Sequence, residues 1–130
     1  MAYIRKNTES LHIDKERVVA LGFSAGALLC RMLATVRGEE IENAGLEVGR
    51  EHIQPNAVVL GYPVVSTFHT PHEGSMANIS GGNKSLYGQL SIENRVENGS
   101  SPTFIWGCLD DPVASSNNGF LLAQAYKKAG

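Results

Sequence analysis

Apolar and polar positions along the chain fall into short blocks whose period changes abruptly. Between Tyr3 and Leu11, the residues Ile4, Thr8 and Leu11 share one helical face, which predicts the end of an amphipathic helix. The polar stretch from His12 to Arg17 connects it to Val18–Phe23, an apolar run that is β-branched at its start and does not alternate. A short run of that kind predicts a strand buried on both faces, as in a parallel sheet. Ala27–Ala34 is apolar nearly all round, the pattern of a buried helix, with Gly38 as its stop. Glu39–Gln54 is acidic and reads as a variable loop or a short exposed helix.

A second strand is expected at Asn56–Tyr62, closed by Pro63. Ser66–Ser101 is rich in Gly, Ser and Asn and has no sustained period. It is too long for an ordinary connection, so it is either functional or holds short helices. A third strand, Thr103–Cys108, is entered through Pro102. The last helix runs from about Asn118 to Lys128, with Phe120, Leu121, Ala125 and Tyr126 available to pack and Lys127, Lys128 and Gly130 at its end. This order of strands and helices is that of an α/β fold with a parallel sheet of about three strands and flanking helices. Three strands make a thin sheet, and the first should present an edge without a neighbour. Residues 1–130 therefore read as a single, incomplete domain, for which a homo-oligomer joined through that edge is one expected assembly.

Composition narrows the function classes. The chain is 42% hydrophobic and 18% charged with a formal net charge of -2, as in one soluble globular domain and without the basic excess of a nucleic-acid binder. Aromatics, at 7%, are too sparse for a base-stacking surface. No stretch approaches the roughly 20 apolar residues of a membrane span, and Met1–Asn7 lacks the apolar core of a signal peptide. Cys30 and Cys108 stand in apolar surroundings outside any C-x-x-C spacing. They read as two buried free thiols in a reducing compartment, which makes the cytoplasm the expected location.

The chemistry concentrates in Gly22-Phe23-Ser24-Ala25-Gly26, a G-x-S-x-G pentapeptide between a predicted strand and a predicted helix. Chance would produce the pattern in a chain of this length only roughly a few per cent of the time. Glycines two positions before and after the serine keep side chains from crowding in a strained turn. Ser24 is thereby the candidate nucleophile, and the backbone N–H of Ala25, opening the helix, can face an oxyanion. A serine nucleophile needs a histidine and an acid. Asp110 and Asp111, directly after the third strand, stand where open sheets bind ligands and in the chain order expected for the acid. No histidine follows them. His12 and His52 read as surface residues, and His69 and His72, after the second strand, are the histidine candidates. Pro71 interrupts the His69–Glu73 spacing, so no metal site is expected there, and the acyl chemistry calls for no cofactor.

The pentapeptide, with Leu60-Gly61-Tyr62-Pro63-Val64-Val65-Ser66, His72-Glu73-Gly74-Ser75, Pro102-Thr103-Phe104-Ile105-Trp106 and Asp110-Asp111-Pro112-Val113, resembles the α/β-hydrolase esterase/lipase family, in its acetylesterase and xylan-esterase-like branch. The resemblance covers essentially the whole chain and implies a partial α/β-hydrolase fold. It implies Ser24 as nucleophile, Ala25 as one oxyanion donor and Asp111 as the acid, with Asp110 as fallback. The family's histidine lies beyond a strand that would follow Gly130, and its glycine-rich oxyanion loop would precede Met1. Two readings compete. One is a serine carboxylesterase acting on small-molecule short-acyl esters. The other is a non-catalytic truncated or split hydrolase segment serving as an interaction piece.

Overall fold

A computed structural model describes all 130 residues. Two short helices, α1 (Ala2–Lys6) and α2 (Thr8–Leu11), lead to strand β1 (Val19–Phe23) and helix α3 (Ala25–Ala34). Helices α4 (Gly38–Asn43) and α5 (Arg50–Ile53) precede strand β2 (Ala57–Gly61). Helices α6 (Glu73–Ser80) and α7 (Tyr87–Leu90), with 3-10 turns at Lys84–Leu86 and Ile92–Asn94, fill the long excursion to strand β3 (Thr103–Trp106). Helix α8 (Asn117–Ala129) closes the chain. The sheet is parallel with order β1-β2-β3, so β1 and β3 both present free edges. No helix is long and apolar enough to cross a membrane.

Register separates the two sheet faces. Ala20, Val58 and Thr103 align across the strands, as do Gly22, Leu60 and Ile105. This face is covered by α3 and α8, and Val58 and Leu60 join Ala27, Leu28, Val64, Met76, Ile92 and Leu122 in the core. The alternate rows, Leu21-Val59-Phe104 and Phe23-Gly61-Trp106, point the other way, where no helix lies. Leu21 is 58% and Phe104 64% exposed, and Val19, Phe23 and Trp106 are exposed beside them. β1 is thus buried on one face only, against the expectation of a strand buried on both. Residues 1–130 supply a helical layer on one face of the sheet only, whereas an apolar run of this kind suits a strand covered on both.

Other expectations shift for local reasons. The predicted amphipathic helix over Tyr3–Leu11 breaks in two at Asn7, whose side-chain amide donates to the Tyr3 carbonyl and competes with the helical ladder. α3 is not buried all round, because Leu29 and Leu33 face solvent. Gly38 opens α4 instead of stopping α3. The stop is Thr35, whose hydroxyl donates to the Arg31 carbonyl at 2.9 Å. Cys108 is exposed where β3 has already ended, and only Cys30 is partly covered, with burial pushing its thiol pKa up.

Two buried arginines brace the covered side. Arg31 is 1% exposed, and its guanidinium lies 4.7 Å from the centroid of the Tyr126 ring, so α3 is pinned to α8 by a cation–π contact. Arg95 donates to both carboxylate oxygens of Glu40 (2.8 and 2.6 Å), to the Thr35 carbonyl and hydroxyl, and to the Gln89 carbonyl. It ties the end of α3 to α4 and α7.

Removing Arg95 takes its donors from these groups and leaves Glu40 only the Arg37 N–H, so Arg95→Ala is expected to cost about 3 kcal/mol in urea unfolding. Arg95 also holds the Glu40 carboxyl below the usual glutamate range by donating to its ionised form. That stabilisation is full above the usual range and is lost as pH falls through the lowered value. Acid unfolding of Arg95→Ala should therefore be shallower across the carboxylate range than that of the parent.

The open face gives the opposite expectation. Leu21→Lys and Phe104→Lys should each change stability by less than about 1 kcal/mol while lowering self-association. Thermal unfolding read together with light scattering checks both. A large loss of stability would show that the face is covered.

Candidate active site

Ser24 sits where β1 turns into α3, at φ 51° and ψ -122°, a backbone region that non-glycine residues rarely enter. Two contacts hold it there. The Ser24 N–H donates to the Gly61 carbonyl of β2 at 3.0 Å, and the Ser24 carbonyl accepts from Ala27 as the helix begins. The side chain makes no capping bond to its own helix, which leaves Oγ free. The steric demand of the motif falls on its first glycine. A Cβ at Gly22 would lie 2.4 Å from the Gly26 carbonyl oxygen, whereas one at Gly26 would meet nothing within 4 Å.

Asp111 lies in the turn after β3, on the same edge of the sheet as Ser24, because all three strands run parallel. Its Oδ1 accepts from the backbone N–H groups of Val113 (2.8 Å) and Ala114 (2.9 Å). Those bonds, that of Ala114 first, hold its carboxyl pKa below the usual aspartate value. The neighbouring Asp110 is exposed.

The histidine candidates stand on the segment between them in the fold. His69 is exposed, with its backbone N–H bonded to Ser66 Oγ at 3.0 Å. His72 is the N-cap of α6: its Nδ1 accepts from the Ser75 N–H at 3.2 Å and lies 2.9 Å from Ser75 Oγ. Neither ring is hydrogen-bonded to Ser24 or Asp111. His12 is exposed, and His52 pairs with Glu51 at 2.9 Å, both away from this edge.

Sequence reasoning missed an aromatic cluster at the same edge of the sheet. Phe23, Tyr62 and Trp106, one from the end of each strand, form a mutual cluster with ring centroids 5.6 to 6.0 Å apart. Gly61 admits it, since a Cβ there would lie 2.5 Å from the Phe23 ring. Tyr62, at φ 34°, turns the chain out of β2 while its N–H donates to the Trp106 carbonyl at 2.7 Å. A cleft of about 360 Å³ opens beside the cluster, lined by Tyr62, Pro63, Trp106, Leu109, Ser116 and Phe120. The only signal in the sequence is an aromatic within the last three positions of each predicted strand.

Strain at Ser24 predicts opposite responses from neighbouring positions. Ser24→Gly should raise stability by about 1 kcal/mol, since glycine adopts the positive φ freely. Gly22→Ala should lower it by about 2 kcal/mol or more through the clash with Gly26. Chemical denaturation of both variants measures the pair.

Comparison with known proteins bears on the whole arrangement. The BD-FAE family model matches residues 1–126. Endo-1,4-beta-xylanase B of Butyrivibrio fibrisolvens is 32% identical over 128 residues, which are 97% of this chain and 20% of that protein. The acetyl ester-xyloside bifunctional hydrolase of Caldicellulosiruptor lactoaceticus superposes with a TM-score of 0.84 at 34% identity, over 99% of this chain and 48% of its own. A lipase/esterase from Lactobacillus plantarum shares the fold with a TM-score of 0.76 at 24% identity, over 98% of this chain and 50% of its own. The chain thus spans about half the length of these solved structures. With the family model matched over nearly its whole length, the chain belongs to the BD-FAE family and comprises part of an α/β-hydrolase domain.

Proposed function

We propose that this chain carries the nucleophile and the acid of a serine carboxylic-ester hydrolase, acting on short acyl esters of acetyl type through an acyl-serine intermediate. The observation that carries the reading is the strained backbone of Ser24 at a strand-to-helix junction, with its Oγ free of capping. Strain of this kind persists only where the surroundings enforce it, and it is characteristic of functional turns. Ser24 Oγ attacks the ester carbonyl as a histidine takes its proton. The oxyanion is met by the Ala25 N–H at the start of α3, one of the donors a helix N-terminus leaves unpaired. The alcohol leaves with the histidine's proton, and water repeats the sequence to release the acid. Asp111 orients the histidine and stabilises it when charged.

Strand spacing supports the assignment. Adjacent strands lie about 4.8 Å apart, so the ends of β1 and β3 are separated by roughly 10 Å. A single imidazole, hydrogen-bonded through both nitrogens, bridges side chains across such a gap. His72 is engaged in capping α6 and His69 is exposed, so we assign the base to the half of the domain that the solved relatives have and this span does not cover. Acetylated carbohydrate is the favoured substrate class, because the similar proteins are a xylanase and an acetyl ester-xyloside hydrolase. Unpaired Cys30 and Cys108 suit a reducing compartment such as the cytoplasm.

The uncovered sheet face favours a second reading, a hydrolase segment that serves as an interaction piece without catalysis. A fluorophosphonate probe and a chromogenic acetate ester separate the two. This span alone should label weakly and only at Ser24, with ester turnover about a thousandfold or more below that of a complete triad. Equal labelling of Ser24→Ala would overturn the nucleophile. Strong labelling lost in His69→Ala or His72→Ala would overturn the assignment of the base to the other half.

A further inference from the structure

Asn118, the second residue of α8, is 1% exposed, and its side chain makes four hydrogen bonds. Its Oδ1 accepts from the backbone N–H groups of Val65 (2.9 Å) and Ser66 (3.1 Å). Its Nδ2 donates to the Ser115 carbonyl (3.1 Å) and, over a longer 3.4 Å, to the Thr70 carbonyl. An amide side chain offers two acceptor positions and two donors, and here all four are used.

The partners belong to two different loops. Val65–Thr70 leaves β2 and carries His69, whose N–H is held in turn by Ser66 Oγ. Ser115 follows Ala114, and Ala114 is the buried residue whose N–H binds the Asp111 carboxylate. The acid turn is otherwise held by the Ser116 hydroxyl on the Leu109 carbonyl (3.3 Å), by the first backbone bonds of α8 to Ser115 and Ser116 and by buried Ala114, while Leu109 is 79% and Val113 66% exposed. A carboxylate that aims an imidazole must be held to within about 0.5 Å, which exposed loop residues do not achieve alone.

We propose that Asn118 is the positioning residue for Asp111, a buried clasp that fixes the acid turn against the loop leaving the central strand. This rests on the reading of Asp111 as the acid. Only an amide of this length satisfies the site. An ionised aspartate would set its charge against the Thr70 and Ser115 carbonyls, and serine is too short to span both loops.

The test reads Asp111 directly. In Asn118→Ala, the carboxyl carbon of Asp111, followed by NMR, should titrate at a higher pH than in the parent, moving toward an ordinary aspartate. Hydrogen exchange at the Val113 and Ala114 amides should speed up roughly tenfold. Leu28→Ala, a core cavity elsewhere, should lower stability without moving either readout. If Asn118→Ala does not fold, Asn118→Ser takes its place with the same expectations. An unchanged Asp111 titration and unchanged amide exchange, or equal changes in Leu28→Ala, would overturn the proposal. Neither readout depends on Ser24 chemistry, so failure here is distinct from failure of the probe experiment.

Discussion

The central strand β2 is hydrogen-bonded on both sides and is the only strand that is. Everything at the upper edge of the sheet depends on it. Its last residue, Gly61, accepts the Ser24 N–H from one neighbour, and the residue after it, Tyr62, donates to Trp106 of the other. Its inward side chains, Val58 and Leu60, are the floor on which α3 and α8 rest. The serine turn and the acid turn therefore spring from a frame whose rigidity comes from one doubly paired strand and the core beneath it. The positive φ at Ser24 is sustained by that frame, because β1 and α3 are both packed on it and the turn must join them.

Much of this was legible in the residues. Val18–Phe23, Asn56–Tyr62 and Thr103–Cys108 each contain an observed strand, and the G-x-S-x-G turn falls where strand meets helix. These are local signals, set by the chain's own sterics and by runs of apolar residues. What failed depended on what lies across a gap. Burial of Leu21 or Phe104 is decided by whether a second layer covers the sheet, and no property of the strand itself reports that. Arg31 sits inside an otherwise apolar helix segment and becomes a core residue because Tyr126, nearly a hundred positions later, stacks under it. Exposure of Cys108 follows from β3 ending two residues early.

The polar residues of the site divide in the same way. The proposal of Ser24 rests on its flanks, and that of Asp111 on its position after a strand. Asn118 reads in sequence only as the start of a helix, because its four partners come from two loops, one of them about fifty residues away along the chain. His72 looked like a candidate base in sequence and in the fold caps a helix through Ser75. In both cases a side chain's meaning came from the backbone groups it met, which only the assembled tertiary structure specifies.

The uncovered face also has a cellular meaning. A patch of five large apolar side chains on one side of a parallel sheet is what chaperones and quality-control proteases bind. While that face is bare, survival of the folded span is governed less by its own folding free energy than by capture of the patch. Whatever covers that face acts, in effect, as the chain's licence to survive.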